Sequence, residues 1–140
     1  MRIKIDRIEI LDWCDGPARA LVESGGSAFL VVLVARETNS APRLFLFLEV
    51  DEPSKTAILS ELNAPRSLEE NWRRFEAVYR QIIDSYCGKA FLCNDRLSEG
   101  SVCALKTIDP GAAAKVRSFD IGDAFDAKIS SFWLEKLEAS

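Results

Sequence analysis

Phe29-Leu30-Val31-Val32-Leu33-Val34 and Leu44-Phe45-Leu46-Phe47-Leu48 decide the fold, because each is apolar on consecutive positions rather than on alternate ones. Neighbouring side chains of an extended strand point to opposite faces, so a sheet built on these segments has to be covered on both sides. Helices or a second subunit must supply that cover, which leaves homodimerisation open. The longest apolar run, Ala28 to Ala35, is far shorter than the roughly 20 residues that span a bilayer, so no membrane partner is expected.

Working outward, Gly25-Gly26 precedes the first segment and marks a hairpin, since both glycines can take positive φ without a Cβ clash. Its strands are Ala18 to Glu23 and Ser27 to Arg36. Upstream, Ile3, Ile5, Ile8 and Ile10 supply a strand pattern that Asp15-Gly16-Pro17 breaks with turn chemistry. Downstream, the polar loop Glu37 to Pro42 leads to the strand Arg43 to Val50. The first 50 residues therefore read as an antiparallel meander of about four strands.

The rest is mainly helical. Ser54 is read as the N-cap of a short helix reaching Leu62, stopped by Asn63-Ala64-Pro65. Ser67 and Glu70 have the spacing of a capping box, and Leu68, Trp72, Phe75, Tyr79, Ile82, Ile83 and Tyr86 form one apolar stripe that can lie on the sheet. Gly88 ends that helix. Lys89 to Cys93 and Val102 to Ile108 read as a second β-hairpin, with Asp109-Pro110-Gly111 as the next turn. Asp120 is the expected cap of a C-terminal helix with the stripe Ile121, Phe125, Ile129, Phe132 and Trp133. The fold class is α+β in one domain, residues 1–140.

The chain is 48% hydrophobic and carries 22 Asp+Glu against 18 Lys+Arg. That acidic balance argues against nucleic acid, because gripping a phosphate backbone needs surplus cations. Met1-Arg2-Ile3-Lys4-Ile5-Asp6-Arg7 alternates charge with apolar residues where a signal peptide needs a continuous apolar region. A cytoplasmic, reducing setting follows, with Cys14, Cys87, Cys93 and Cys103 read as thiols.

Histidine is absent, which removes imidazole-based triads, Cys-His dyads and His-ligated metal centres. The cysteines form no C-x-x-C pair, so a zinc site would have to gather all of them from unconnected places. Counting back from a turn near Ser98 sets Cys93 opposite Cys103 as a cross-strand thiol pair. Cys14 lies between Asp12 and Asp15, which disfavour a thiolate, so its segment reads as a turn. Gly25-Gly26 lacks a phosphate-loop pattern, and Asp120, Asp123 and Asp126 lack the further ligands of an EF-hand. Arg66, Arg73, Arg74 and Arg80 are offset by acids in the pairs Glu69-Arg73, Glu70-Arg74 and Glu76-Arg80. No cofactor motif emerges. Trp72 is assigned to the core stripe, while Trp13, beside a turn, and Trp133, near the end of the last helix, are the candidate protein-interface residues, with core packing as the competing role for each.

The segment Ile8 to Val50, through Ile8-Glu9-Ile10-Leu11-Asp12-Trp13-Cys14-Asp15-Gly16-Pro17 and the apolar run after it, resembles the opening of an uncharacterised family of small bacterial proteins. The resemblance implies a bacterial or phage origin and transfers no activity and no functional residue. The expectation is a non-enzymatic protein-interaction module, such as a small inhibitor, immunity protein or accessory subunit. A small-ligand binding domain is the alternative, and a histidine-free enzyme the third.

Overall fold

The computed structural model describes residues 1–35, 43–109, 111, 114–118 and 121–138. The expected loop Glu37 to Pro42 and the expected cap Asp120 lie outside them. The strands are β1 (Arg2–Lys4), β2 (Arg7–Trp13), β3 (Pro17–Ser24), β4 (Ser27–Ala35), β5 (Leu44–Val50), β6 (Ala90–Cys93), β7 (Val102–Ala104) and β8 (Lys106–Thr107). The helices are α1 (Glu52–Asn63), α2 (Leu68–Ser85) and α3 (Ala127–Glu138), with short 3-10 turns at Ala114–Ser118 and Ile121–Phe125. A six-stranded antiparallel sheet runs in the order β2-β3-β4-β5-β6-β8, and β1 and β7 form a separate two-stranded ribbon. The α+β architecture is the expected one.

The β2-β3-β4-β5 meander follows the sequence pattern. Gly25 (φ 56) and Gly26 (φ 85) turn the β3-β4 hairpin, whose last pair is Ser24 with Ser27. Cross-strand partners share a face. Arg19, Val32, Leu46 and Leu92 therefore lie on one side, and Ala20, Val31, Phe47 and Phe91 on the other. All of these except Arg19 are apolar, and none is more than 6% exposed.

Helices cover the first side. Phe75, Tyr79 and Ile83 of α2 are buried, and Arg19, only 4% exposed, joins helix to sheet. Its guanidinium meets the carboxylates of Asp12 (3.1 Å) and Glu76 and sits 5.3, 5.0 and 4.6 Å from the ring centroids of Trp72, Phe75 and Tyr79. Burial works against the charge, but the bond to Glu76 and the nearby carboxylate outweigh it and raise its pKa. Trp72, assigned to the core, is 39% exposed because it closes over Arg19 from the solvent side. Leu68, at the start of the stripe, is 86% exposed. The expected Glu76-Arg80 and Glu69-Arg73 pairs are replaced: Glu76 turns to Arg19, Arg80 to Asp84, and Glu70 takes both Arg73 and Arg74.

The helix ends show where local signals compete. Asp51, not Ser54, caps α1 by accepting the Ser54 N–H at 2.8 Å, and Pro53 fits the first turn, where no N–H is needed. Ser67 caps α2 as expected, accepting the Glu70 N–H. Asn71 staples the connection: its Nδ2 donates to Leu62 O and Ala64 O, and its Oδ1 accepts from Arg66. Tyr86, the expected end of the stripe, and Gly88, the expected stop, follow the helix, which finishes at Ser85 with Tyr86 as its cap. Asp126 caps α3 by accepting the Lys128 and Ile129 N–H groups.

Among the described residues, the second side of the sheet is covered by the β1–β7 ribbon and the segments beside it. The single strand expected from Ile3 to Ile10 breaks at Ile5, which is fully buried and exchanges bonds with Ser101 O and Gly100 N. The expected second hairpin is also broken. β7 pairs with β1, Ile3 facing Cys103, and only β8 returns to pair with β6. The N-terminus captures β7 because Met1 and Leu105 exchange N–H to carbonyl bonds, and burying Cys103 and Leu105 against the sheet rewards the detour.

Arg19→Met is expected to lower unfolding stability by about 2–3 kcal/mol, since it removes charge-assisted hydrogen bonds at a buried position; urea unfolding measures it, and a loss under about 0.5 kcal/mol would refute the joining role. Glu70, held down to about 2 from 4.5 first by its Arg73 bond and then by Arg74, stabilises fully above pH 4.5 and loses that effect as pH falls toward about 2. Melting curves of wild type and Glu70→Gln should thus differ at neutral pH and converge near pH 2.

Candidate functional site

On the ribbon-covered side, the sheet and the 94–101 loop leave a groove of about 640 Å³. Its apolar wall comes from Ile8 and Ile10 of β2, Phe45 of β5, Pro17 and the loop residue Leu97. Asp95, Arg96, Glu99 and Arg43 add charges of both signs. Trp13 also lines it and is 66% exposed, with Ile10 39% exposed beside it. β2 is an outer strand of the sheet, so its far backbone edge has no strand partner among the described residues.

Trp13 owes its position to the turn after it. Asp15 takes φ 53 and Gly16 φ 138, and the Cys14 N–H donates to Gly16 O. Arg43 clamps this turn, donating to Pro17 O at 3.1 Å, Cys14 O at 2.6 Å and Asp15 O at 2.7 Å. A Cβ at Gly16 would stand 3.0 Å from the Arg43 guanidinium carbon, so this glycine serves both the backbone angle and the clamp. Cys14 is exposed and belongs to the turn, as expected.

The structure separates the two candidate tryptophans. Trp13 lies in the groove wall. Trp133 is 1% exposed and packs edge to face with Phe132, ring centroids 5.0 Å apart. Trp133 is thereby corrected as an interface candidate and takes the core-packing role weighed beside it: α3 turns it into the core.

Behind the groove wall lies a polar cluster. Cys93 and Cys103 are both fully buried free thiols, and their sulfurs lie within 4.8 Å of each other and of the Asp95 carboxylate. They are not a strand pair, for Cys93 pairs with Phe45 and Cys103 with Ile3; they meet across the layer between sheet and ribbon. Asp95 Oδ2 accepts from the Ala104 N–H at 2.7 Å and from the Cys93 thiol at 3.6 Å, while the Asp95 N–H donates to Cys93 Sγ at 3.4 Å. The neighbouring Cys103 thiol, and burial after it, push the Cys93 thiol up. Asp95 was missed in sequence because nothing local links it to Cys103; the ribbon brings them together. Arg43 and the loop residues of the groove were missed for the same reason.

Neither a family model nor a curated protein nor a solved structure matches the chain. Among the described residues, no helix is long and apolar enough to cross a membrane.

Trp13→Ala should leave unfolding stability within about 0.5 kcal/mol of wild type, whereas Trp133→Ala should cost about 3–5 kcal/mol. Denaturant titration of both variants checks the assignment, and equal losses would contradict it.

Proposed function

We propose that this chain is a non-enzymatic protein-interaction module that receives an extended segment of another protein along β2, with an apolar side chain of that segment seated in the groove beside Trp13. The observation that carries the reading is Trp13 itself, 66% exposed at the end of an outer strand and held there by the Arg43 clamp. A folded chain ordinarily keeps few large aromatic residues so open, and tryptophan is enriched where binding energy concentrates. An outer strand offers unpaired N–H and C=O groups to a partner strand, and a neighbouring pocket selects its side chains. β2 also carries Arg7 and Glu9 and register shifts near Asp12, devices that discourage indiscriminate pairing. The absence of histidine, and burial that pushes Tyr79 and Tyr86 up to about 12, favour binding over acid–base chemistry. A cytoplasmic inhibitor, immunity protein or accessory subunit would fit this role. Resemblance to small bacterial proteins in Ile8 to Val50 suggests a bacterial or phage setting.

A second reading draws on the groove volume, which lies in the range of small-molecule sites. Here the occupant is an apolar ligand with one charged group, and stabilisation by a metabolite in a thermal-shift screen would favour it.

Affinity capture from cells of the source, with wild type, Trp13→Ala and Ile10→Glu compared, tests the first reading. One stoichiometric protein partner whose affinity drops about 30-fold in Trp13→Ala, equivalent to about 2 kcal/mol, at unchanged melting temperature, is the expected result. Capture of nothing, of this chain's own copies only, or of a partner indifferent to both variants would overturn it.

A further inference from the structure

We propose that Cys93, Cys103 and Asp95 form a zinc-class metal site behind the groove wall, with the fourth coordination position open toward the groove. Two sulfurs and a carboxylate within 4.8 Å of one another are a donor set for a borderline-soft divalent cation rather than for magnesium or calcium. The spacing also fits. Tetrahedral zinc with Zn–S near 2.3 Å and Zn–O near 2.0 Å sets a sulfur-to-oxygen edge of about 3.5 Å, and Cys93 Sγ to Asp95 Oδ2 measures 3.6 Å.

Apolar packing explains buried thiols in general, but not a carboxylate turned onto them. Asp95 is held in that attitude from both ends, by the Ala104 N–H on Oδ2 and by its own N–H on Cys93 Sγ. These are the supporting bonds that orient metal ligands and offset the charge of a thiolate. Asp95 also lines the groove, which gives the cation a route in and solvent or a bound group access to the fourth position. Binding is a substitution without redox change: the cation forms two metal–sulfur bonds and one metal–oxygen bond, and the thiol protons of Cys93 and Cys103 leave to solvent. The metal would tie β6 of the large sheet to β7 of the ribbon, and so fix the loop that forms one wall of the groove. The site does not depend on the protein-binding reading.

Titration of the reduced protein with cobalt(II) under anaerobic conditions tests it. The expected result is one equivalent bound, with a thiolate-to-cobalt charge-transfer band and tetrahedral d–d absorption that zinc(II) abolishes. Cys93→Ala and Cys103→Ala should lose the band, and Cys14→Ala and Cys87→Ala should keep it. Asp95→Asn should weaken binding at least about tenfold while keeping the metal-free melting temperature. Absence of the band, its survival in Cys103→Ala, its loss in Cys14→Ala or Cys87→Ala, or unchanged affinity in Asp95→Asn would each overturn the site; the last applies even if the cysteine variants fail to fold.

Discussion

Val31 and Val32 point to opposite faces of β4, and neither is exposed to solvent. Through β3, β4 and β5 the same holds pair after pair, so the sheet must be enclosed from two directions at once. One direction is met by helices and the other by a ribbon made from the chain's first residues and a segment a hundred residues later. If either cover were removed, a row that includes Phe29, Phe47 and Phe91 or one that includes Leu30, Leu46 and Leu92 would meet water. The break at Ile5 and the detour of β7 both follow from that requirement.

Arg19 shows how the helical cover is held in a particular register. An aliphatic residue there would bury well, but could not select Glu76 on one turn of α2 and Asp12 on the adjacent strand. The rings of Phe75 and Tyr79 lie against the same cation, so charge and apolar packing fix one position of the helix together. Trp72 completes the enclosure from outside, which is why a residue on the apolar stripe ends up partly in solvent.

The ribbon side is less completely filled, and the groove is the gap that remains. Sheet and loop residues both line it, and its exposed tryptophan, Trp13, precedes the turn that Arg43 clamps. The buried thiols stand behind the 94–101 loop, and Asp95, a residue of the loop, reaches back to them. The apolar groove and the cluster of Cys93, Asp95 and Cys103 thus result from one arrangement, the laying of a short ribbon over a broad sheet.

Local residue patterns alone determined the meander, the Gly25-Gly26 hairpin, the cap at Ser67, the α2 stripe at Phe75, Tyr79 and Ile83, and the α+β class. Each of these depends on neighbours a few residues apart, where periodicity and backbone preference act. Only the tertiary structure decided that Ile3 and Ile8 belong to different sheets, that β7 leaves β6 for β1, that Glu76 serves Arg19 instead of Arg80, and that Trp13 is open while Trp133 is buried. The meeting of Cys93, Asp95 and Cys103 belongs with these, for the chance coincidence of a counted register and a real contact concealed a different geometry. These outcomes turn on which distant segment covers which face of the sheet, a competition settled by burial and long-range hydrogen bonds that no local spacing records.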